Sequence, residues 1–340
     1  MDQRKIMALG KSSRVISLPK DWLNRNNLDR GNMVSLYVHN NGSLIVHPAL
    51  DIKEDIKIIH LDIKADENAD SIIRRIIGSY LDGYDVIKLQ SDGIFTVDQQ
   101  RAIRKIVAIL YMMIVESEAS SIVLETLIDE LRVSVISGIE RMHMITQSMC
   151  QDVLNSMRNL DETLVRSVGS LENDVDQLMF LLLRLIRGSA TSPSLANQQG
   201  FDILDCLDHQ TLVHTIERVA DHSASMANSI IALIESKIII PEKVMSTLIH
   251  AGENAFTSYD DSVRCYLSRD TGPTNEIIDS QKQIEDLYSE ITPLPSFGDP
   301  SKTSALSDII NIRECIMKIS HHAADVAELT IDRGYKSKNT

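Results

Sequence analysis

Paired cysteines are missing from this chain of 340 residues. Its four, Cys150, Cys206, Cys265 and Cys315, stand at least 50 residues apart, and no CxxC occurs. A zinc knuckle and a thiol–disulfide pair are thereby excluded. Four thiols on helical patterns read as small core residues in a reducing compartment. Long hydrophobic runs are missing too: LMFLLLRLI is interrupted by Arg184 and is far too short to span a bilayer. The opening MDQRKIMALGKSS holds no apolar stretch of signal-peptide length, so a cytoplasmic protein with no membrane insertion is expected. Catalytic signatures are absent as well. There is no G-x-S-x-G, no H-E-x-x-H and no cysteine set beside a histidine by a recognised motif. Gly10-Lys11-Ser12 looks like the tail of a phosphate loop, but Lys5 stands where the first glycine is required. A ferritin-type di-metal enzyme needs two E-x-x-H motifs and two further glutamates. Only Glu140–His143 is available here, and His143 on an apolar face reads as a satisfied core residue. An enzyme is not expected.

What is present is 43% apolar and 24% charged, enough for two or three domains with real cores. The net charge of −14 is unevenly spread. Residues 1–50 hold seven basic side chains (Arg4, Lys5, Lys11, Arg14, Lys20, Arg25, Arg30) against three acids, a balance of +4 that leaves −18 on the other 290. A small basic module on a large acidic body suggests two different partners.

The basic module, 1–48, reads as short strands around turns. RKIMALG and RVISL are strand-like, and Pro19 opens a short helix at its first position in PKDWLNRNN. MVSLYVH and SLIVH then flank Asn40–Gly42, a hairpin signal. The stretch GKSSRVISLPKDWLNRNNLDRGNMVSLYV resembles the AbrB-like swapped-hairpin domains. That resemblance implies two chains interlocking strands into one barrel, a homodimer that often binds DNA. Arg4, Lys11, Arg14 and Lys20 are the positions that would meet phosphates or base edges. Clustered Lys and Arg are what phosphate contacts require. A dimerising module with merely solvated charges is the other reading.

Residues 51–127 run strand (KIIHLDI), helix (ADSIIRRIIGSYL), strand (DVIKLQ), helix (TVDQQRAIRKIVAIL), then a hairpin of MMIVES and SIVLETL. The order βαβαββ predicts a small α/β domain with helices on one face. It carries no glycine-rich turn after a strand and no acid or histidine cluster, and reads as a spacer or sensory module.

From 128 to 333 the pattern is almost wholly helical. Breaks at 188–200, 237–243, 268–274 and 292–301 separate six helices, roughly 128–158, 161–187, 208–236, 242–267, 275–291 and 303–332. Long helices with short connections pack as antiparallel bundles. VADHSASMA (219–227) set on ISHHAADVA (319–327) matches His222 with His322, Ala224 with Ala324 and Ala227 with Ala327. An offset of 100 relates the third helix to the sixth, as in a duplication. ENDVDQLMF and QKQIEDLYS relate the second to the fifth more weakly, at an offset of 109. The expected fold is thus multidomain and mainly α: two tandem three-helix repeats (128–236 and 240–333) behind a small α/β domain and a β-rich head.

The bundle raises a question at ERVADH, where Glu217 and Asp221 stand one helical turn apart. Like charges at that spacing cost a helix about 0.2–0.5 kcal/mol. The second helix repeats the pattern with Glu172 and Asp176. Leu171, Val175, Leu178, Leu182 and Leu185 form one apolar stripe; Leu212, Ile216, Val219, Ser223, Ile230 and Ile234 form the other. Each acid pair lies on the same flank of its stripe, while Arg184 and Arg218 point away. Solvated helix flanks would explain one such pair. Two pairs on neighbouring helices are better explained by a cation, and carboxylate-only ligation selects hard ions: Mg²⁺, Mn²⁺, Ca²⁺ or iron.

LENDVDQLMFLLLRLIRG and IERVADHSASMANSI resemble the second and third helices of the PhoU family of phosphate-uptake regulators. The resemblance implies two three-helix bundles whose E-x-x-x-D motifs hold metal clusters. It also implies repression of phosphate transport or of phosphate-responsive transcription, through contacts with a transporter ATPase and a sensor kinase. The second repeat departs from the pattern. Gln281 and Glu285 stand where Glu172 and Asp176 stand, and Met317 and His321 replace Glu217 and Asp221. One metal centre is expected, from the first repeat, with Glu285, His321 and His322 at most a weaker or different site. A metal-free helical scaffold that only docks proteins is the alternative.

Overall fold

The computed structural model describes residues 3–38, 42–48, 56–238, 240–290 and 303–335, apart from the side chains of 37, 288–290, 303 and 304. The chain divides into two compact units, Met1–Asp55 and Ile56–Lys338.

In the first unit β1 (Met7–Leu9) and β2 (Ser13–Val15) form an antiparallel hairpin. Its turn begins at Gly10, whose φ of +70° is the left-handed conformation glycine adopts without strain. The segment that looks like a phosphate loop is therefore a hairpin turn. Helix α1 (Lys20–Arg25) follows Pro19, which serves as the N-cap, one residue earlier than the sequence suggests. Strands β3 (Val34–Val38) and β4 (Leu44–Pro48) make a second hairpin, with Val34 opposite Pro48 and Val38 opposite Leu44. Asn40 and Asn41 of the expected turn lie outside the described residues. None of the described head residues is buried. Ile6, Leu9, Met33 and Val38 are exposed, Met33 to 79%.

The second unit begins with β5 (Ile58–Ile63), α2 (Ala69–Leu81), β6 (Val86–Ser91), α3 (Val97–Ile109), β7 (Met112–Ser117) and β8 (Ser121–Thr126). The sheet order is β5-β6-β8-β7, with β5 parallel to β6 and β8 antiparallel to both its neighbours. Alternation puts Leu61, Ile63, Ile87, Leu89, Ile122 and Leu124 on one buried face. Ile72 and Ile76 of α2 and Ile103 and Val107 of α3 complete that core. Asn68 caps α2, and Thr96 with Gln99 forms a capping box on α3.

The helical body comprises α4 (Val135–Asn159), α5 (Glu162–Thr191), a short α6 (Pro193–Gln199), α7 (Ile203–Ser236), α8 (Glu242–Ser268), α9 (Thr274–Glu290) and α10 (Thr303–Gly334). Two helix starts differ from expectation. α4 begins at 135 rather than 128 because Ser134 caps it, while Asp129 caps a separate 3-10 turn, Glu130–Arg132. α7 begins at 203 rather than 208, nucleated by a capping box between Asp202 and Asp205. The expected break at 188–200 holds α6, with Pro193 in its first turn, Ser192 as its cap and left-handed Gly200 at its end. The break expected at 292–301 lies outside the described residues.

α4, α5 and α7 pack on one another, and so do α8, α9 and α10; the halves meet where α7 packs on α10 and α4 on α8. Both contacts join helices that the duplication makes equivalent, which is the geometry of an internal two-fold axis. Consistent with that axis, the matched His222 and His322 stack on each other, centroids 5.6 Å apart and planes 9° from parallel. Both stripes face one shared core: Val175, Leu182, Leu185, Leu212, Ile216 and Ile230 are buried in it. All four cysteines are buried, and none is in a disulfide.

Candidate metal centre

The two acid pairs lie along the line where α5 and α7 pack. Asp176, Glu217 and Asp221 each offer a carboxylate oxygen within 4.8 Å of the others, and among the described residues this is the one such group of three or more potential ligands. Glu172, one turn before Asp176, is outside that group, yet its charge acts on Glu217. Glu172, Asp176 and Glu217 are half-buried, and Asp221 sits at the exposed rim.

Crowding and burial show in the protonation equilibria. Glu217 is pushed up to about 7 by burial, then by Asp221 and Asp176, with Glu172 adding and Arg218 opposing. Glu172 is raised by burial and by Asp221 and Asp176. Asp176 is raised by burial and by Asp221, and Lys105 of α3 pulls the other way. Burial raises Asp221 as well. None of the four forms an ion pair or hydrogen bond with a described side chain. The donor set fits a hard cation: oxygens bound at roughly 2.0–2.6 Å to one ion span about 4–5 Å at most. The converged three would hold such an ion, and Glu172 stands beside them.

The second repeat offers less. Glu285 and His321 are exposed, and Met317 carries no oxygen. His322 stacks on His222, lies 3.4 Å from Asp325 and is held below the usual histidine range by burial. His143 is buried between Asp260 (2.9 Å) and Tyr259 (3.3 Å), a satisfied core residue.

In the head, Arg4 precedes β1, Lys11 lies on the β1–β2 turn, Arg14 on β2 opposite Ala8, and Lys20 opens α1; all four are exposed.

Arg184, which periodicity turned away from the acid pairs without giving it a partner, is a buried structural residue. It is 1% exposed. Its guanidinium donates to Tyr80 O (2.7 Å), Tyr84 O (2.8 Å), Asp85 Oδ1 (3.0 Å) and Glu130 Oε1 (2.5 Å), and it sits over the Tyr80 ring. Arg187 adds bonds to Leu81 O and Asp82. Two arginines of α5 thus cap the C-terminal carbonyls of α2, where positive charge is favoured. The α/β domain is seated on the bundle by this clamp. A lone charge inside LMFLLLRLI was the available signal: a cation there must find buried acceptors.

Fold and site together define a class: tandem three-helix bundles with a carboxylate flank, preceded by a strand-rich basic head. Comparison with known proteins makes it particular. The PhoU domain family model matches residues 139–230, within the first bundle. The model described as antidote-toxin recognition MazE, bacterial antitoxin, matches residues 8–54, the MazE/AbrB-like head. PhoU from Pseudomonas aeruginosa, known as a crystal structure, is similar in fold with a TM-score of 0.52 at 19% identity, over 59% of this chain and 96% of that one. No curated protein sequence matches. The helical body is therefore PhoU-like and the head MazE/AbrB-like. Among the described residues no helix is long and apolar enough to cross a membrane.

Proposed function

We propose that this chain is a cytoplasmic, dimeric, metal-binding regulator of phosphate uptake or phosphate-responsive transcription, and not an enzyme. One observation carries the reading: unpaired carboxylates of a PhoU-like bundle converge within 4.8 Å. A divalent or trivalent hard cation (Mg, Mn, Fe or Ca) bound by Asp176, Glu217 and Asp221, with Glu172 beside them, relieves their repulsion and fixes α5 against α7. The acidic body then docks a phosphate-transporter ATPase or a sensor kinase. The head supplies the second contact. Its exposed apolar residues call for a second copy of the same segment, since isolated two-stranded hairpins are marginal in water. The interlocked pair presents Arg4, Lys11, Arg14 and Lys20 of both chains to DNA.

Two measurements test this. Elemental analysis of protein purified without chelator should find metal that Glu217→Ala with Asp221→Ala abolishes; no metal in the parent favours the metal-free scaffold. Loss of the chain from its host should raise phosphate uptake in phosphate-replete medium. Unchanged uptake, together with unchanged phosphate-responsive transcripts, would sink the regulatory assignment.

A further inference from the structure

Ile203, Leu204 and Leu207 open α7 and stand 63%, 52% and 57% exposed. Spaced three and four residues apart, they share one outward face of the helix's first two turns. The duplication supplies a control for that face. Both helices run uninterrupted from equivalent starts, α7 from Ile203 and α10 from Thr303, so the offset of 100 holds there. Inward positions agree: Asp205, His209 and Leu212 are buried, and so are Ala305, Ile309 and Ile312. Outward positions do not. Thr303, Ser304 and Ser307 stand where the first half has Ile203, Leu204 and Leu207. The fold therefore has no need of aliphatic side chains at this place, since its second half starts the same helix with hydroxyls. A contiguous aliphatic patch that the fold does not need marks an interaction site.

We propose that this face of α7 docks an amphipathic helix of a partner protein, apolar towards α7 and basic on its flanks. The inference deepens the docking part of the reading above and rests on that part, not on the metal. Size argues against a second copy as the occupant. The three side chains expose on the order of 300 Å², the scale of a functional patch on a monomer. A stable dimer buries about 800 Å² from each partner. Charge argues the same way. Asp202 closes one end of the face and Asp208 stands beside Leu204, in the 290 residues that together carry −18. A second copy would set those acids against themselves, whereas lysines or arginines flanking a foreign helix would meet them. The capping box also sets two carboxylates at the positive end of α7, so that end does not draw an acidic partner. Apolar anchors one turn apart, with charge at the rim, suit the packing of one helix along another.

The test sets the full chain against two synthetic helical peptides with a leucine stripe, one flanked by lysine and one by glutamate. By fluorescence anisotropy at physiological salt, the lysine peptide should bind about tenfold more tightly than the glutamate peptide. Leu204→Ser combined with Leu207→Ser installs the second half's own residues, and an unchanged melting temperature checks that the variant folds. It should weaken the lysine peptide about tenfold or more. Leu160→Ser, which removes an exposed leucine beyond α4, should change nothing. In the host, the double variant should raise phosphate uptake in phosphate-replete medium as loss of the chain does. Uptake that rises on loss of the chain but not in the double variant overturns this inference alone. Uptake indifferent to both sinks the regulatory reading and leaves the peptide result to decide the face. A lysine peptide that binds parent and double variant alike, or binds neither, overturns the proposal. So does a mass in light scattering that grows with concentration in the parent and not in the double variant, which assigns the face to a second copy. Binding to phosphatidylcholine vesicles that the double variant loses assigns it to a membrane, with the same consequence.

Discussion

The head and the helical body solve the same problem with opposite resources. The body buries its stripes in one continuous core and carries four carboxylates at a seam. The head has strands, turns and a helix but no buried described residue, and it is the basic part of the chain. The body's stability is thus internal, and its crowded acids are raised by burial and by one another. The head's local structure is encoded, while its described residues bury no core of their own.

The largest test of that contrast is removal of residues 1–48. It should convert a dimer to a monomer and abolish any DNA shift, yet leave the melting temperature of the body within a few degrees. Light scattering, gel shift and calorimetry read these outcomes; a truncated chain that stays dimeric puts the interface in the body.

Within the body, Arg184→Ala should cost roughly 2–4 kcal/mol in urea unfolding. It strands Glu130 and Asp85, whose partial exposure softens the usual penalty for breaking a buried pair. A loss under about 1 kcal/mol would mean that the clamp is ornamental.

A smaller effect follows from Glu217. Its folded-state value of about 7 lies above the ordinary 4.5. Between those values the folded chain holds more protons than the unfolded one, so stability falls as pH rises through that window. Without metal, Glu217→Gln should therefore stabilise by ~1–2 kcal/mol near pH 8 and by almost nothing near pH 4. Saturating Mn²⁺ should reverse the sign at high pH, because the ion needs the ionised carboxylate. A difference between variant and parent that is flat in pH would detach the shift from this cluster.

The smallest effect lies in the head. Lys11→Ala should weaken DNA binding evenly across sequences and reduce the slope of log affinity against log salt by about one. An unchanged slope would take Lys11 away from the phosphates.

Much of this was legible in the sequence because local chemistry and tertiary structure agree there. Asn68 and Thr96 cap the two α/β helices, and period-two alternation marks the buried face of the sheet. Helical periodicity put Glu172, Asp176, Glu217 and Asp221 on matching flanks. It carries no information on depth along the groove, and so did not distinguish Glu172 from the three that converge. The seat of the α/β domain was illegible because Arg184 gains its partners from Tyr80, Tyr84, Asp85 and Glu130, far away in sequence, two of them main-chain carbonyls and two carboxylates. The head's lack of a core was hidden for a related reason. Strand propensity reports that a surface is apolar, not which chain covers it.

The stacking of His222 on His322 has a historical consequence. A side chain that meets its own counterpart across a symmetry axis belongs to an isologous contact, the kind two identical molecules make before their genes are joined. Once fused, each side was free to change alone. One half has Glu172, Asp176, Glu217 and Asp221 where the other has Gln281, Glu285, Met317 and His321. On the proposed reading, an assembly of two such chains would carry two ion centres and not four, both in the half that follows the α/β domain.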